Sequence, residues 1–233
     1  WEDYRLTMII TIGKNKLIEL LCRQLKNNFT LDKEEVLTLE EFIDLALLNA
    51  ESCYAGNTNK YYWNNNDSLI FNPYHSSQYS IFLYFLARTI FLADNRMLAD
   101  KIYYLNRMMN SCDLYYEVEL PSVFFLDHPI GAIIGRGSFS NYFAFRHNCT
   151  VGGNHGKFPR FGEFVCLFSN ATVIGNTNIG NNVFISSNTL VKDVNISDNS
   201  IVFGQSPNLI IKRKPKEYFY EKSPFKYHQQ LLE

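Results

Sequence analysis

FGEFVCLFSNATVIGNTNIGNNVFISSNTLV, residues Phe161 to Val191, decides how this chain folds. A large apolar residue returns at every sixth position, through Phe161, Leu167, Val173, Ile179, Ile185 and Val191. That period is neither the 3.6 of a helix nor the 2 of a half-buried strand. The fifth residue of each unit is small or β-branched, namely Val165, Ala171, Thr177, Val183 and Thr189, and Gly162 and Gly180 directly follow their apolar residues. A six-residue unit with one large and one small inward residue suits a triangular parallel β-helix. Each unit forms one wall of a prism, and the corners need compact residues, or Asn and Gly in left-handed conformations. The register can be traced upstream through Ile133, Phe139, Phe145 and Val151. The step from Val151 to Phe161 is ten, so GGNHGKFP (Gly152 to Pro159) predicts a small loop pushed out of one corner. Insertions of this kind often carry a solenoid's site.

The first half follows a different pattern. NKLIELLCRQLKNNF (Asn15 to Phe29) has apolar residues at helical spacing, and TLEEFIDLALLNA opens with Thr38 and Glu41 in capping-box positions. A polar loop follows at Gly56 to Ser68, and Tyr79 to Met109 reads as two packed helices broken near Asp94 and Asn95. Its most apolar run, SIFLYFLARTIFLA (Ser80 to Ala93), is shorter than the ~20 residues a membrane span needs and holds Arg88, so a buried amphipathic helix is expected and no membrane span. The fold class is α+β. Residues 1–116 form an N-terminal α-helical domain, 117–211 a parallel β-helix and 212–233 a basic C-terminal tail.

With 233 residues, 46% of them hydrophobic, the chain can bury a substantial core. The formal charge of -1, from 22 basic and 23 acidic residues, provides no global positive field for a nucleic-acid partner. Five cysteines, an odd number without CxxC or metal-ligand spacing, fit a reduced cytoplasmic compartment. The start at Trp1 shows no charged-then-apolar leader, so export is not expected.

The order of the blocks LDHPIGAIIG, CTVGGNHGKFPRFGE, VIGNTNIGNNVFISSNTLVKDV and VFGQSPNLIIK, behind a helical domain, resembles the hexapeptide-repeat acyltransferases. Within them it is most similar to the serine acetyltransferase-like branch, which includes O-acetyltransferases of bacterial surface polysaccharides. The serine enzymes have runs like DHATGVVIG, VTLGG, HPKIG and AGVPARIVGK in the corresponding places. The resemblance implies that the β-helix is left-handed. It also implies an acetyl-CoA-dependent O-acetyltransferase, and a homotrimer whose cofactor groove lies between prisms, with trimers able to join through their helical domains into a dimer of trimers.

By that match His128 is the general base. A neutral imidazole can take the proton of an acceptor hydroxyl as it attacks the thioester. A partner acid would fix its tautomer. Glu119, Asp113 and Glu117 all remain open, with Glu119 slightly preferred. Asp127, placed beside His128 on a β wall, is expected to point the opposite way and to contact the acceptor instead. The second histidine of the serine enzymes is replaced here by Phe158, and His155 on the protruding loop is the nearest substitute. A pocket edged by Phe158, Tyr142 and Phe143 would stack on a sugar ring. The acceptor read from these departures is a capsule or O-antigen sugar, as polymer or activated precursor. The alternatives are serine O-acetyltransferase of cysteine biosynthesis and a noncatalytic hexapeptide-repeat scaffold.

His147, in the next coil, is read as lining the acceptor cleft or a subunit contact. The spacing of His128, His147 and His155 does not match a zinc triad, and no metal is expected. Thr150, Gly152 and Gly153, then Asn170 and Ala171, then Ser187 and Asn188 are carried over as the pantetheine track of acetyl-CoA. Lys212 and Arg213 would meet its phosphates or else belong to a solvated basic tail. Cys149 is expected in the core, not as a nucleophile.

Overall fold

The computed structural model describes residues 6–232. Trp1, on which the reading of the chain's start rests, lies outside them. The chain forms two compact units, one ending at Glu117, the other running from Val118 onward and taking in Gly56–Thr58.

The first unit is helical: α1 (Lys14–Asn28), α2 (Lys33–Ala55), α3 (Ser76–Leu92) and α4 (Arg96–Asn110). Helix α1 buries Leu17, Leu20, Leu21 and Leu25, a single stripe at helical spacing. Helix α2 starts earlier than Thr38. The capping box is Asp32 and Glu35: the Glu35 N–H donates to Asp32 Oδ1 at 2.9 Å, and the Asp32 N–H donates to Glu35 Oε2 at 3.1 Å. Thr38 is interior to the helix, and its hydroxyl donates to the Glu34 carbonyl. Helix α3 is buried almost all round, because it packs against both α2 and α4, so it has no polar face as an amphipathic helix would. Its Arg88 guanidinium donates to the Tyr116 carbonyl at 3.0 Å. The break lies where the sequence puts it. Asp94 takes φ 64, and the Asn95 side chain caps α4 by accepting from the Leu98 N–H. Among the described residues no helix is long and apolar enough to cross a membrane.

The second unit is a triangular parallel β-helix of about five turns, the hexapeptide-repeat solenoid, consistent with the left-handed form. Its first wall stacks Phe124–Asp127, Phe143–Arg146, Val165–Leu167, Val183–Ile185 and the start of Ser200–Gln205. The second wall stacks Ile133–Ile134, Thr150–Gly152, Thr172–Ile174 and Leu190–Lys192, and the third Ser138–Phe139, Arg160–Phe161, Asn178–Ile179 and Asn195–Ile196. Corner residues Asn148, Asn170, Asn182, Asn188 and Asn199 have positive φ, which asparagine tolerates better than most side chains. The upstream register shifts by one. Ile134, 1% exposed, pairs with Val151, while Ile133 is 48% exposed, because the corner before Phe139 is one residue shorter than the sixfold period assumes.

The segment after Ile211 is not a free tail. Strand Asn208–Arg213 runs antiparallel to Ser200–Gln205, and helices α5 (Lys216–Glu221) and α6 (Lys226–Gln230) follow. Phe219 and Phe225 are fully buried in a cluster with Phe125, Ala144, Cys166, Phe184 and Ile201 of the first wall. Gly56–Thr58 joins this cover: the Lys226 N–H donates to the Gly56 carbonyl and the Thr58 N–H to the Pro224 carbonyl. The reason lies in the wall's composition. FFL, FAF, VCL and VFI are apolar on both faces, so the outward set also has to be removed from water. Phe219→Ala and Phe225→Ala should each destabilise the β-helix by about 3–5 kcal/mol, read as a lower urea midpoint.

His228 lies inside this cover, its ring 3.6 Å from that of Phe164 and 4.2 Å from that of Tyr220 between centroids. Both ring nitrogens are buried without a hydrogen-bond partner, and burial lowers the imidazole pKa from 6.5 to about 4. The unfolded chain takes up this proton near pH 6.5 and the folded chain only near pH 4. Stability from this residue is therefore complete above pH 6.5 and falls as the pH drops toward 4, by up to about 3 kcal/mol. Replacing His228 by Phe should flatten that part of the curve of unfolding free energy against pH.

Candidate active site

His128 stands at a corner of the prism, not on a wall. The strand Phe124–Asp127 ends just before it, and His128 takes φ 51. Asp127 pairs with Arg146 and Ile133 with Thr150, so the corner after Asp127 holds two residues more than the corner after Arg146. Gly131 makes this wider turn possible: it has φ 73, and a Cβ there would lie 2.0 Å from Asn148 Oδ1. The extra residues bring His128 into solvent, with its side chain 78% exposed.

The corner also reverses the expected orientation of Asp127. A shared wall would have set the two side chains on opposite faces, whereas the turn swings His128 back and puts its Nε2 3.6 Å from Asp127 Oδ1. That is too long for a hydrogen bond but close for a charge pair. On the other side of Asp127, Arg146 Nε is 4.0 Å from Oδ2, and the guanidinium lies over the Phe168 ring at 4.8 Å. His147 occupies the same corner one coil on, its ring 6.4 Å from that of His128 and its Nδ1 3.4 Å from Ser169 Oγ. Among the described residues no group of three or more His, Cys, Asp or Glu is placed to hold a metal ion.

The other acids have different surroundings. Asp113 accepts a hydrogen bond from Tyr103 Oη at 2.7 Å and lies 3.7 Å from Arg107 Nε, both within the helical unit. Glu117 pairs with Arg96 and accepts from Tyr115 Oη. Glu119 is exposed in the extended run that leads into the first wall.

The aromatic pocket expected for a sugar ring does not assemble. Phe143 is fully buried inside the prism. Tyr142 is at the corner between third and first walls, stacked on Phe164 at 4.3 Å and on Tyr227 at 5.6 Å. Phe158 projects from the corner between second and third walls, within the predicted loop and just past its hairpin. The three were grouped by sequence proximity, but successive corners of a coil face different ways. The loop itself is a tight hairpin. Asn154 bridges Lys157 across His155 (φ 47) and Gly156 (φ 71), the pattern of a type I′ turn, and it leaves His155 exposed. Gly153 lets the Phe158 ring lie against the backbone, since a Cβ there would meet the ring at 2.7 Å and push it aside.

Of the carried-over cofactor positions, Asn170, Ser187 and Asn188 are exposed along the corner that carries His128 and His147. Ala171 is fully buried, its N–H donating to the Phe168 carbonyl and its carbonyl accepting from Thr150, so it has little to offer a ligand. Thr150 and Gly152 lie on the second wall, with open space where a Gly152 Cβ would be. Lys212 Nζ sits 5.6 Å above the Phe203 ring, and the Arg213 guanidinium donates to the Asp198 carbonyl. The Cys149 thiol is buried against the Leu167 and Phe168 carbonyls, and burial raises its pKa, so it is poorly suited to act as a nucleophile.

The hairpin is anchored from two coils away. Asp193 Oδ1 accepts the Asn176 backbone N–H at 2.8 Å and Oδ2 the Asn154 side-chain amide at 2.6 Å, and these bonds, the backbone one first, lower the Asp193 pKa. Asp193→Ala should loosen residues 154–157 and speed trypsin cleavage after Lys157 several-fold, as measured by limited proteolysis.

Sequence reasoning missed Arg146 and Phe168. Their signal was a charged and an aromatic residue at outward positions next to a corner, in register with Asp127. No protein-family model and no curated protein matches the chain. Solved structures do match. A serine acetyltransferase from Vibrio cholerae O1 biovar El Tor N16961 aligns over 85% of this chain and 79% of its own, with 18% identity and a TM-score of 0.67. A serine acetyltransferase complex with CoA aligns over 84% and 83%, at 16% identity and TM-score 0.63. Soybean serine acetyltransferase complexed with serine aligns over 76% and 73%, at 16% and 0.59. At such identities the likeness is one of fold.

Proposed function

We propose that the chain is an acetyl-CoA-dependent O-acetyltransferase whose acceptor is the hydroxyl of L-serine. The observation that carries this reading is His128, held out into solvent by a widened corner with Asp127 beside it. The similarity to serine acetyltransferase structures, among them complexes with CoA and with serine, supports the acetyl donor and favours serine over a surface-polysaccharide sugar. The dispersal of Tyr142, Phe143 and Phe158 removes one of the two reasons for expecting a sugar, the aromatic pocket, and leaves the replacement of the second histidine by Phe158.

In this reading the ring nitrogen of His128 that faces away from Asp127, Nδ1, takes the proton of the serine hydroxyl as its oxygen attacks the acetyl carbonyl. The tetrahedral intermediate then expels CoA by breaking the C–S bond, and the proton held on His128 passes to the leaving thiolate. The transfer is direct and needs no acyl-enzyme. Asp127 stabilises the imidazolium as it forms. The donor runs past Asn170, Ser187 and Asn188, with Thr150, Gly152 and Gly153 across the second wall and Lys212 and Arg213 toward its phosphates.

Homotrimer assembly belongs to the same reading. His128 and the Asn154–Lys157 hairpin sit on different edges of one prism, separated by the second wall, whose strand Thr150–Gly152 is three residues, about 10 Å, long. Edges of neighbouring copies would bring the two together.

Acetyl-CoA consumption assayed against L-serine and a panel of glycans tests the acceptor; turnover of glycans with none of serine would overturn it. His128→Ala should lower turnover roughly 100- to 10,000-fold while leaving the oligomer unchanged in sedimentation. Unchanged turnover would overturn the base, and absence of transfer to every acceptor would favour a scaffold.

A further inference from the structure

We infer that Arg146 is a positioning residue for the His128 base and acts through Asp127. The inference rests on the acetyltransferase reading and adds a residue to its site. Asp127 and Arg146 are partners in the parallel register, and Phe168 holds the equivalent place one coil further on, so the three side chains form one column on the outer face of the first wall. The Arg146 guanidinium lies on the Phe168 ring at 4.8 Å, an attraction that holds it in place. Its Nε is buried, makes no hydrogen bond, and is 4.0 Å from Asp127 Oδ2. Asp127 thus has a cation 4.0 Å from one oxygen and His128 within 3.6 Å of the other.

This arrangement addresses a specific difficulty. A carboxylate beside an exposed histidine favours the protonated ring, which cannot act as a base. Arg146 offsets part of the Asp127 charge while His128 waits for substrate. The other titratable neighbours in this unit are His147, at 6.4 Å ring to ring, and the thiols of Cys149 and Cys166 behind the column. Burial raises the pKa of both thiols, that of Cys166 to about 12, so they add no charge.

The test is the pH dependence of kcat/KM for acetyl transfer in the full chain, wild type against Arg146→Met, Arg146→Lys, Asp127→Asn and the Arg146→Met/Asp127→Asn double variant. Arg146→Met should move the acid limb to higher pH by roughly half a unit to one unit, and lower kcat more than it raises the acetyl-CoA KM. Arg146→Lys, which keeps the charge, should restore most of the limb. In the Asp127→Asn background, Arg146→Met should shift it no further. A wild-type limb that Arg146→Met leaves in place, or an equal shift with and without Asp127, overturns the inference while the acetyltransferase reading stands. Wild-type protein that transfers acetyl to no acceptor overturns that reading first. If Arg146→Met fails to fold, the comparison of Arg146→Lys with wild type decides: a limb displaced as far as half a unit despite the retained charge overturns the inference.

Discussion

Parallel in-register stacking is the constraint on which the second unit depends. Val165 pairs with Val183, and Thr172 with Leu190, each eighteen residues on, so every side chain stands above its counterpart in the next coil. Columns of like residues follow: Phe139 stacks on its partner Phe161 at 5.1 Å, and the Asn182 side-chain amide donates to Asn199 Oδ1 at one corner. Residues far apart in sequence become neighbours when their offset is one coil, and residues adjacent in sequence can face different directions. Both the prism core and the polar group around His128 follow from this rule.

The corners are where the rule is relaxed, and chemistry collects there. A wall residue is committed to ladder hydrogen bonds and to an inward or outward direction, whereas a corner can take up extra residues without disturbing the walls. Two extra residues after Asp127 bring His128 into solvent, and four extra residues before Arg160 form the hairpin with His155. Both insertions leave the pairing on either side intact. The fold therefore gives the site rigid supports and lets the length of the turn alone decide which side chain projects.

How much of this was legible follows from the same geometry. The sixfold period from Phe161 to Val191 is fixed by burial inside the prism, and the loop followed from its one irregular interval. The upstream register was one residue off because it was extended from Phe139 across a shorter corner, and Ile133 and Ile134 are both apolar, so composition did not correct it. Thr38 and Glu41 made a plausible capping box, but Asp32 and Glu35 make one too, and only the packed length of α2 decides between them. The C-terminal cover was readable in principle. The first wall's triplets are apolar throughout while TVI and LVK of the second wall each carry a polar residue, Thr172 and Lys192, on the outward face, and a wall apolar on both faces needs something laid over it.

The site's charge pattern was the least accessible part, because sequence adjacency misleads at a corner. A shared wall would set Asp127 and His128 on opposite faces, but the strand ends at Asp127 and His128 turns back at φ 51. In the fold Asp113 is engaged by Tyr103 and Arg107, and Glu117 by Arg96, so each contributes to packing of the helical unit. Asp127 has both an imidazole and a guanidinium within 4.0 Å. A column position in the β-helix thus determines the electrostatic surroundings of the base: the acid comes from its own strand, the cation from the strand below, and the aromatic that holds the cation from the one after that.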